Sequence, residues 1–292
     1  MAKKATTLDQ QLELLASRGL TIHDHEKARE MLLDIGYYRL GFYLFPFEKS
    51  YPALQDRSHQ YFEGTSFEDA VNLYYFDFDL RLLLMRYLTR IEIAFRTSII
   101  YYLSNKYSDN PVWFVSPSVV DRAYAHNFEQ AIYTSDFKRI PVIHRHHQKN
   151  PNDRFAPAWK TLEFMTFGAV LKLYEQLRNI DDKILIANKF GIRQVVTFEN
   201  YMHTIRQIRN ACAHGLLIYD LHLRLALRRG PANVFPSERN NIIGALRVIK
   251  YIMAQISTHR ADDMKLLITS RYERLCEESP ILRELIPDFS VL

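Results

Sequence analysis

Two arginines, an asparagine and a histidine close one segment of the chain, RQIRNACAHG at residues 206–215. Arg209 and His214 are five residues apart, which on a regular helix is a rotation of about 140° beyond one turn and a rise of about 7.5 Å. If the helix ends at Gly215, a long arginine and an imidazole can still reach one phosphate. Histidine transfers protons near neutral pH, and the planar guanidinium of arginine matches phosphate oxygens. These residue types therefore suit phosphodiester chemistry.

The same residues also have a purely structural interpretation. Basic side chains in the last turn of a helix interact favourably with the helix dipole, so His214 could cap the helix and Arg209 could form an ion pair. Two other pairs in the chain share the spacing, Arg18/His23 and Arg139/His144. Only Arg209 is followed by a polar donor, Asn210, within a continuous helical pattern. Spacing alone leaves both interpretations open.

The composition limits the class of protein. The chain has 292 residues, of which 48% are hydrophobic, so it can bury a sizeable core. The net charge of +5 weakly favours a polyanionic partner. Two cysteines, Cys212 and Cys276, supply neither a disulfide framework nor a four-ligand zinc site. We find no signal peptide and no apolar run of about 18 residues, so we expect a cytoplasmic protein with no membrane contact.

Helical periodicity predicts an all-α fold. The stretch at residues 65–107 contains neither glycine nor proline, and Ser66 with the acidic residues at 68 and 69 is a good N-cap signal. It predicts one very long helix or two helices with a kink. Further helices are predicted at residues 8–18, 24–34, 158–177, 193–214, 237–257 and 261–278. Residues 108–120 and 136–158 are rich in Pro, Asn, Asp and His, and predict loops.

Four blocks of the chain resemble one family in the family's own order, covering residues 8–220. The blocks are LASRGLTIHDHEKARE with IGYYRLGFYLFPF, then YYFDFDLRLLLMRYLTRIEIAFRTSI, PAWKTLEFMTFGAVLKLYEQL and IRQIRNACAHG. They resemble the Abi-like abortive-infection proteins of the AbiD/AbiF type. The last block is also similar to the Arg-polar-x3-His signature of HEPN-type ribonucleases.

The resemblance implies a HEPN-like helical bundle with additional N- and C-terminal helices. It divides the chain into an Abi-like HEPN domain at 1–230 and a C-terminal helical extension at 231–292. Within the first part, it implies an N-terminal block at 1–60 and a helical core at 65–230. It also implies a bacterial antiviral defence protein that cleaves RNA without a metal. Some family members occur with a small noncoding RNA that restrains them, as in a toxin–antitoxin pair.

The motif residues fit such cleavage, because RNA carries its own nucleophile, the 2′-OH. We predict His214 as the proton-transfer group, Arg209 as the cation that stabilises the phosphorane, and Asn210 as the side chain that orients either of them. This chemistry needs no metal and no small-molecule cofactor. One motif supplies a single histidine, whereas acid–base cleavage works best with two proton-transfer groups. We therefore expect a homodimer with two facing motifs.

Four residues other than Arg209, Asn210 and His214 are predicted to contact RNA. Arg206 lies one turn before Arg209 and can reach backbone phosphates. Arg96 and Glu92 form an i,i+4 pair that could line the same cleft or could be only an ion pair. Arg39 lies in the aromatic segment 35–47, whose rings could stack on bases, although most of them are expected in the core.

Two alternatives remain open. The segment HRHHQKN at 144–150 could bind a metal, contact RNA as a basic loop or simply be solvated; the absence of a nearby acidic or Cys ligand disfavours the metal. The whole chain could also be a non-catalytic HEPN-fold protein that binds RNA or a partner protein. The intact Arg209, Asn210 and His214 favour the enzyme, an endoribonuclease.

Overall fold

The computed structural model describes residues 4–53, 55 and 57–292, so parts of the predicted N-terminal block lie outside the described residues. Within these ranges the chain forms fourteen α-helices and no β-strand, which confirms the all-α prediction. The helices are α1 (Leu8–Ser17), α2 (His25–Ile35), α3 (Tyr37–Leu44), α4 (Phe67–Lys106), α5 (Arg122–Ala131), α6 (Ser135–Lys138), α7 (Pro141–Lys149), α8 (Ala158–Thr161), α9 (Phe167–Glu175), α10 (Ile180–Lys189), α11 (Val195–Ala213), α12 (Ile242–Ile256), α13 (Thr258–Glu278) and α14 (Leu282–Leu285). In this part of the chain, no helix is both long and apolar enough to cross a membrane.

The central helix is α4, an uninterrupted helix of 40 residues and about 60 Å. The Ser66 hydroxyl accepts a hydrogen bond from the Asp69 N–H at 3.1 Å, and the Asp69 carboxylate accepts one from the Ser66 N–H at 2.8 Å. This reciprocal cap confirms the predicted N-terminus. The helices α3, α11, α12 and α13 pack against α4, so it is apolar on several faces.

Phe95 of α4 fixes the helices that carry the motif. Its ring contacts Phe167 of α9 at 6.2 Å, Tyr174 of α9 at 5.8 Å and Phe198 of α11 at 5.9 Å between ring centroids. All four side chains are buried. Aromatic packing of this kind stabilises the core beyond the contribution of the surface area that the rings remove from water. It sets the position of α11 relative to the turn of α4 that carries Glu92 and Arg96.

The aromatic segment 35–47 forms α3 and a short 3₁₀ turn, with most of its rings in the core. Tyr43 and Phe47 are buried, which confirms the core interpretation for them, and Tyr38 is exposed. Phe42 is also about half exposed, so one more aromatic faces solvent than expected. Arg39 lies between Tyr38 and Phe42 in the sequence and is partly exposed.

The prediction of a loop at 136–158 was wrong for much of its length. Residues 135–138 and 141–149 form α6 and α7, and the histidine segment lies within α7. Pro141 is the first residue of α7, where a missing N–H costs nothing, so it begins a helix that we expected it to prevent. His146 is buried and its Nε2 lies 3.1 Å from Asp153 Oδ2, while His147 Nε2 is 2.9 Å from the Tyr133 hydroxyl.

Two other helix predictions need correction. The helix expected at 158–177 is broken between α8 and α9, because Met165 is extended and the Thr166 hydroxyl caps α9. The helices α3, α5, α10 and α14 were not predicted. The C-terminal pair of helices was predicted: α12 and α13 form as expected and pack against α4 and against each other. The domain boundary after residue 230 stays a sequence prediction. In the structure, α12 and α13 pack into the same core as α4 and α11.

Candidate active site at the end of α11

The helix α11 ends in a tight turn at Gly215. The N–H of Leu216 donates to the Ala211 carbonyl at 2.9 Å, and the N–H of Gly215 donates to the Cys212 carbonyl at 3.3 Å. Gly215 has φ of +63°, the left-handed conformation that glycine adopts without strain. The break predicted from the sequence is therefore present. It leaves His214 as the C-cap residue directly after Ala213, with its side chain exposed.

Two arginines hold the chain as it leaves the helix. Nη2 of Arg39 donates to the Gly215 carbonyl at 2.6 Å, and Nη1 of Arg81 donates to the Leu216 carbonyl at 3.3 Å. Both carbonyl groups lie just beyond the end of α11, so the two guanidinium groups satisfy backbone acceptors that have no helical partner. Arg39, predicted to contact RNA, thus has a structural contact beside His214; its role toward RNA stays a prediction.

A buried carboxylate holds the chain two residues further on. Oδ1 of Asp77 accepts hydrogen bonds from the N–H groups of Ile218 and Tyr219 at 2.9 and 2.7 Å. Its other oxygen accepts from the Tyr43 hydroxyl at 2.8 Å and pairs with Arg81. This anchor was not predicted from the sequence. Its only local signal is the i,i+4 spacing of Asp77 and Arg81, the same spacing as Glu92 and Arg96.

Arg209 contacts α4 through Glu92. Its Nε lies 3.3 Å from Oε2 of Glu92, whose Oε1 accepts a hydrogen bond from Nη2 of Arg96 at 2.9 Å. The same Arg96 nitrogen donates to the Met165 carbonyl at 3.0 Å. Glu92 and Arg96 are buried, whereas the Arg209 side chain is 32% exposed. Among the described residues, the two Nη groups of Arg209 have no hydrogen-bond partner, so they remain open to solvent or a ligand.

The ion-pair interpretation of Glu92 and Arg96 therefore describes what the structure shows of them. Neither reaches solvent to a useful extent, and their predicted contact with RNA stays a prediction. What the structure adds is a link to the motif: one buried carboxylate orients two guanidinium groups. Buried charges need such pairing, because an isolated charge in the core is very unfavourable.

Arg206, Asn210 and His214 line one side of an open cleft of about 360 Å³. They lie on one stripe of α11, at helical spacings of four residues. Arg224, in the segment that follows α11, lines the other side and was missed by the sequence analysis. Arg209 is not among the lining residues, because it lies on the opposite edge of the exposed face and reaches α4 instead.

The surface between Arg209 and His214 on α11 is formed by two short, exposed side chains, those of Asn210 and Ala213. A phosphate placed over this surface would have a guanidinium on one side and an imidazole on the other. Cys212, in the same turn, faces the core, and burial raises the pKa of its thiol to about 12. The thiol is therefore not a nucleophile at neutral pH.

Arg206 is positioned by α9. Its side chain lies over Gly168, where a Cβ atom would come within 3.5 Å of Nη1. Glu175 is close enough for the Arg206 charge to lower its pKa, and its Oε1 lies 2.5 Å from Nε2 of His203. The glycine and the glutamate belong to a single short helix, so α9 sets both the space and the charge around Arg206.

The histidine segment of α7 forms no metal site with its neighbours. Across the described ranges, no group of three or more His, Cys, Asp or Glu side chains has the geometry to hold a metal ion. His144 contacts Gln148 at 3.0 Å, while His146 and His147 contact Asp153 and Tyr133. Neither a metal nor an RNA role for this segment gains support.

Comparison with known proteins gives one result. A family model described as "Abi-like protein" matches residues 30–220, about two thirds of the chain. The matched region includes α4, α9 and α11, and with them Glu92, Arg96, Arg209 and His214, whereas Arg224 lies just beyond it. No curated protein and no solved structure gives a significant match. The chain belongs to the Abi-like protein family.

Proposed function

We propose that this protein is an endoribonuclease that acts in abortive infection, with a HEPN-type site at the end of α11. Its family points to abortive infection as the biological role. One observation supports the chemistry above the others. An exposed histidine lies at a helix end that hydrogen bonds hold in place. An arginine lies beyond the short side chains of Asn210 and Ala213 from it. A buried carboxylate holds this arginine, and its two Nη groups are available to a ligand.

In this mechanism, the 2′-OH of the substrate attacks the adjacent phosphorus. His214 takes the proton of that hydroxyl or gives one to the departing 5′-oxygen. The two Nη groups of Arg209 bind the non-bridging oxygens, whose charge grows in the transition state. Asn210 lies between them and donates or accepts a hydrogen bond to orient the phosphate. The products carry a 2′,3′-cyclic phosphate and a 5′-hydroxyl, so one group must accept the proton of the 2′-OH and a second must donate a proton to the 5′-oxygen.

One histidine cannot act as base and acid in the same step, so we infer a homodimer with two facing sites. Exposed apolar side chains next to the site support this. Tyr38 and Phe42 form an exposed ring pair with centroids 5.5 Å apart, on the same helix as Arg39, which contacts Gly215. Leu216, immediately after the turn, is also exposed. Apolar surface of this kind is enriched at protein interfaces.

The test is cleavage of a mixed-sequence RNA by purified protein in the presence of EDTA. We expect fragments with 2′,3′-cyclic phosphate ends from the wild type and none from His214→Ala. Loss of activity in EDTA, or fragments with 3′-hydroxyl ends, would contradict the mechanism. Light scattering tests the dimer, and a monomer that still cleaves at micromolar concentration would contradict the shared site. Restraint by a small noncoding RNA is tested by sequencing the RNA that copurifies with His214→Ala.

A non-catalytic HEPN-fold binding protein is the second candidate. It would bind RNA with the same surface but produce no fragments with wild-type protein. The open Nη groups of Arg209 next to an exposed histidine favour the enzyme, because a protein that only binds has no need of a proton-transfer group there.

A further inference from the structure

The segment that follows α11 runs back along that helix in an extended form. Two side-chain amides on α11 hold it, each through one donated and one accepted hydrogen bond. Gln207 donates to the His222 carbonyl at 3.1 Å and accepts from the Arg224 N–H at 3.2 Å. Asn200 donates to the Ala226 carbonyl at 3.1 Å and accepts from the Arg228 N–H at 2.8 Å. The segment is therefore antiparallel to α11 and held at two points, two helical turns apart.

The other side of the segment is fixed as well. The N–H of Leu223 donates to the Asn240 carbonyl at 2.8 Å, and the N–H of Leu227 donates to the Arg239 carbonyl at 2.7 Å. Both leucine side chains are buried. With its backbone paired on two sides and its leucines in the core, the segment is a fixed part of the surface.

The side chains left on the outside are mostly arginines. They line a depression that we name the arginine groove. The arginines of this groove are Arg206, Arg224, Arg228, Arg229 and Arg239. The cleft at His214 continues past His203 and Leu225 into this depression, because both residues line both. The groove then continues along Arg228 and Arg229 to Phe235.

Most of the positive charge of the groove is not compensated. Among the described residues, Arg224, Arg228, Arg229 and Arg239 have no carboxylate within ion-pair distance, while Glu175 lies near Arg206. What distinguishes these four arginines from single unpaired arginines elsewhere is that they lie along one depression. One carboxylate, Glu199, lines the groove, and Lys183 lies 3.3 Å from it. Like charges that lie close together repel each other, and a bound polyanion would relieve that repulsion.

Apolar side chains alternate with the arginines. Leu225 is 59% exposed, and Phe235 is 56% exposed with one contact to Arg247, whose guanidinium lies 5.0 Å from the ring centroid. Arginines for phosphates and flat or apolar groups for bases are the features that bind single strands without sequence preference. A duplex hides its bases, so it could use the charges of this groove but not Leu225 or Phe235.

We propose that the arginine groove binds the single-stranded RNA that leads away from the phosphate at His214. This rests on the proposed function in taking RNA as the ligand. The distance along α11 from His214 to Asn200 is about 21 Å at ~1.5 Å per residue. A stacked single strand, at ~3.4 Å per phosphate, spans it with about six nucleotides. Phe235 lies beyond that length and stacks with a base further along the strand.

The test measures binding separately from cleavage. Full-length protein with His214→Ala is titrated into labelled, mixed-sequence single-stranded RNA of 4–16 nucleotides (a series covering the ~4–16 range of known single-strand sites), and anisotropy gives Kd. We expect affinity to rise with length and level off near about 8–10 nucleotides. Adding Arg228→Gln with Arg229→Gln should weaken binding about tenfold and reduce the slope of log K against log salt by about 1.4, at ~0.7 per phosphate contact.

The matched control is Arg122→Gln with Arg260→Gln, two exposed arginines outside the groove that give the same change in charge. Equal losses in both double variants would overturn the proposal, as would an unchanged salt slope or a duplex that binds as tightly as the single strand. Arg224→Gln should weaken binding in the same direction, with circular dichroism confirming that all variants fold. If the arginine variants lose binding but wild-type protein cleaves no RNA, the groove stands and the nuclease proposal fails. Cleavage that depends on His214 but not on these arginines would support the nuclease and overturn the groove.

Discussion

Nε of Arg209 lies 3.3 Å from Oε2 of Glu92, although the two residues are 117 positions apart in the chain. The other oxygen of the same carboxylate accepts a hydrogen bond from Arg96 at 2.9 Å. Glu92 and Arg96 are buried, so the arrangement is held in a region that water barely reaches. The Arg209 charge is thus oriented before any substrate binds, which is what electrostatic stabilisation of a transition state requires.

Removing either motif side chain should stop cleavage without unfolding the protein. His214→Ala deletes the proton-transfer group, for a loss of roughly 10²–10⁴-fold in rate. Arg209→Ala removes the cation and should cost a similar or larger factor. His214 is exposed and Arg209 is partly exposed, and Glu92 keeps Arg96 as a partner, so the melting temperature should change by only a few degrees. Single-turnover cleavage and circular dichroism measure the two effects.

The controls for this prediction are the residues that share the spacing of the motif. Changing Arg18, His23, Arg139 or His144 to Ala should leave the cleavage rate almost unchanged. Their spacing equals that of Arg209 and His214, but they are not at the end of α11. A loss with His144→Ala as large as that with His214→Ala would mean that the wrong histidine has been chosen.

Changing Glu92 should affect stability and activity together. Glu92→Ala leaves Arg96 buried without its carboxylate, and breaking a buried pair in this way costs about 3–5 kcal/mol of unfolding free energy. Glu92→Gln retains an acceptor and should cost less, while still reducing the cleavage rate because Arg209 loses its charged partner. Urea unfolding and single-turnover kinetics test this. The matched control is Glu278→Gln, in an exposed i,i+4 pair with Arg274, which should alter neither quantity.

Gly215→Ala should loosen the helix end. The φ of +63° is strained for any residue with a Cβ atom, at a cost of about 1–2 kcal/mol. There is no clash to add to this, because the new Cβ would lie 3.6 Å from Arg39 Nη2, an ordinary contact. We expect lower stability and a lower cleavage rate, since His214 directly precedes the strained residue. Gly41→Ala is the control: it lies inside α3 with open space around it, and should be neutral or stabilising.

The stability conferred by Glu175 should depend on pH. Burial raises the pKa of this carboxyl, but the hydrogen bond with His203 and the charges of His203, Lys172 and Arg206 outweigh it, so the pKa lies below its ordinary value of 4.5. A carboxyl whose pKa falls on folding stabilises the protein above its unfolded-state pKa, and the effect disappears as pH falls through the folded-state pKa. The gap in unfolding free energy between wild type and Glu175→Gln should be present above the ordinary carboxyl pKa and should close as pH falls through the lowered folded-state pKa of Glu175.

Urea titrations at several pH values measure that gap. A difference that persists undiminished at the acid end would show that Glu175 acts by packing and not by charge. The same series on His203→Ala should also show a smaller dependence on pH, because the hydrogen bond to Glu175 would be missing.

The sequence was sufficient for features set by local pattern. The uninterrupted α4 and its cap follow from 43 residues without Gly or Pro and from Ser66 followed by acidic residues. The helix end at Gly215 follows from glycine after a polar last turn. The α7 segment was misjudged because Pro141 was taken as a breaker, although proline at the first helical position is favourable.

The contacts of the site could not be predicted, because they join distant parts of the chain. Periodicity places Arg209 on a helix but does not say that Glu92 faces it, and nothing local to Asp77 identifies Ile218 as its partner. The extended arginine segment was missed for a related reason. Its conformation depends on the side-chain amides of Asn200 and Gln207, and has no periodic signal of its own.

The turn after α11 is held by Arg39, Arg81 and Asp77, which precede their partners by 176, 135 and 141 positions. Synthesis from the N-terminus therefore completes these three holders long before the turn itself leaves the ribosome. Contacts over such separations form late and slowly, because the intervening chain must first be ordered. A nascent chain that stops just after His214 has every residue of the motif but lacks the backbone groups that Asp77 binds. For the nuclease proposed above, this order of assembly delays the complete site until the segment beyond the motif has also been made.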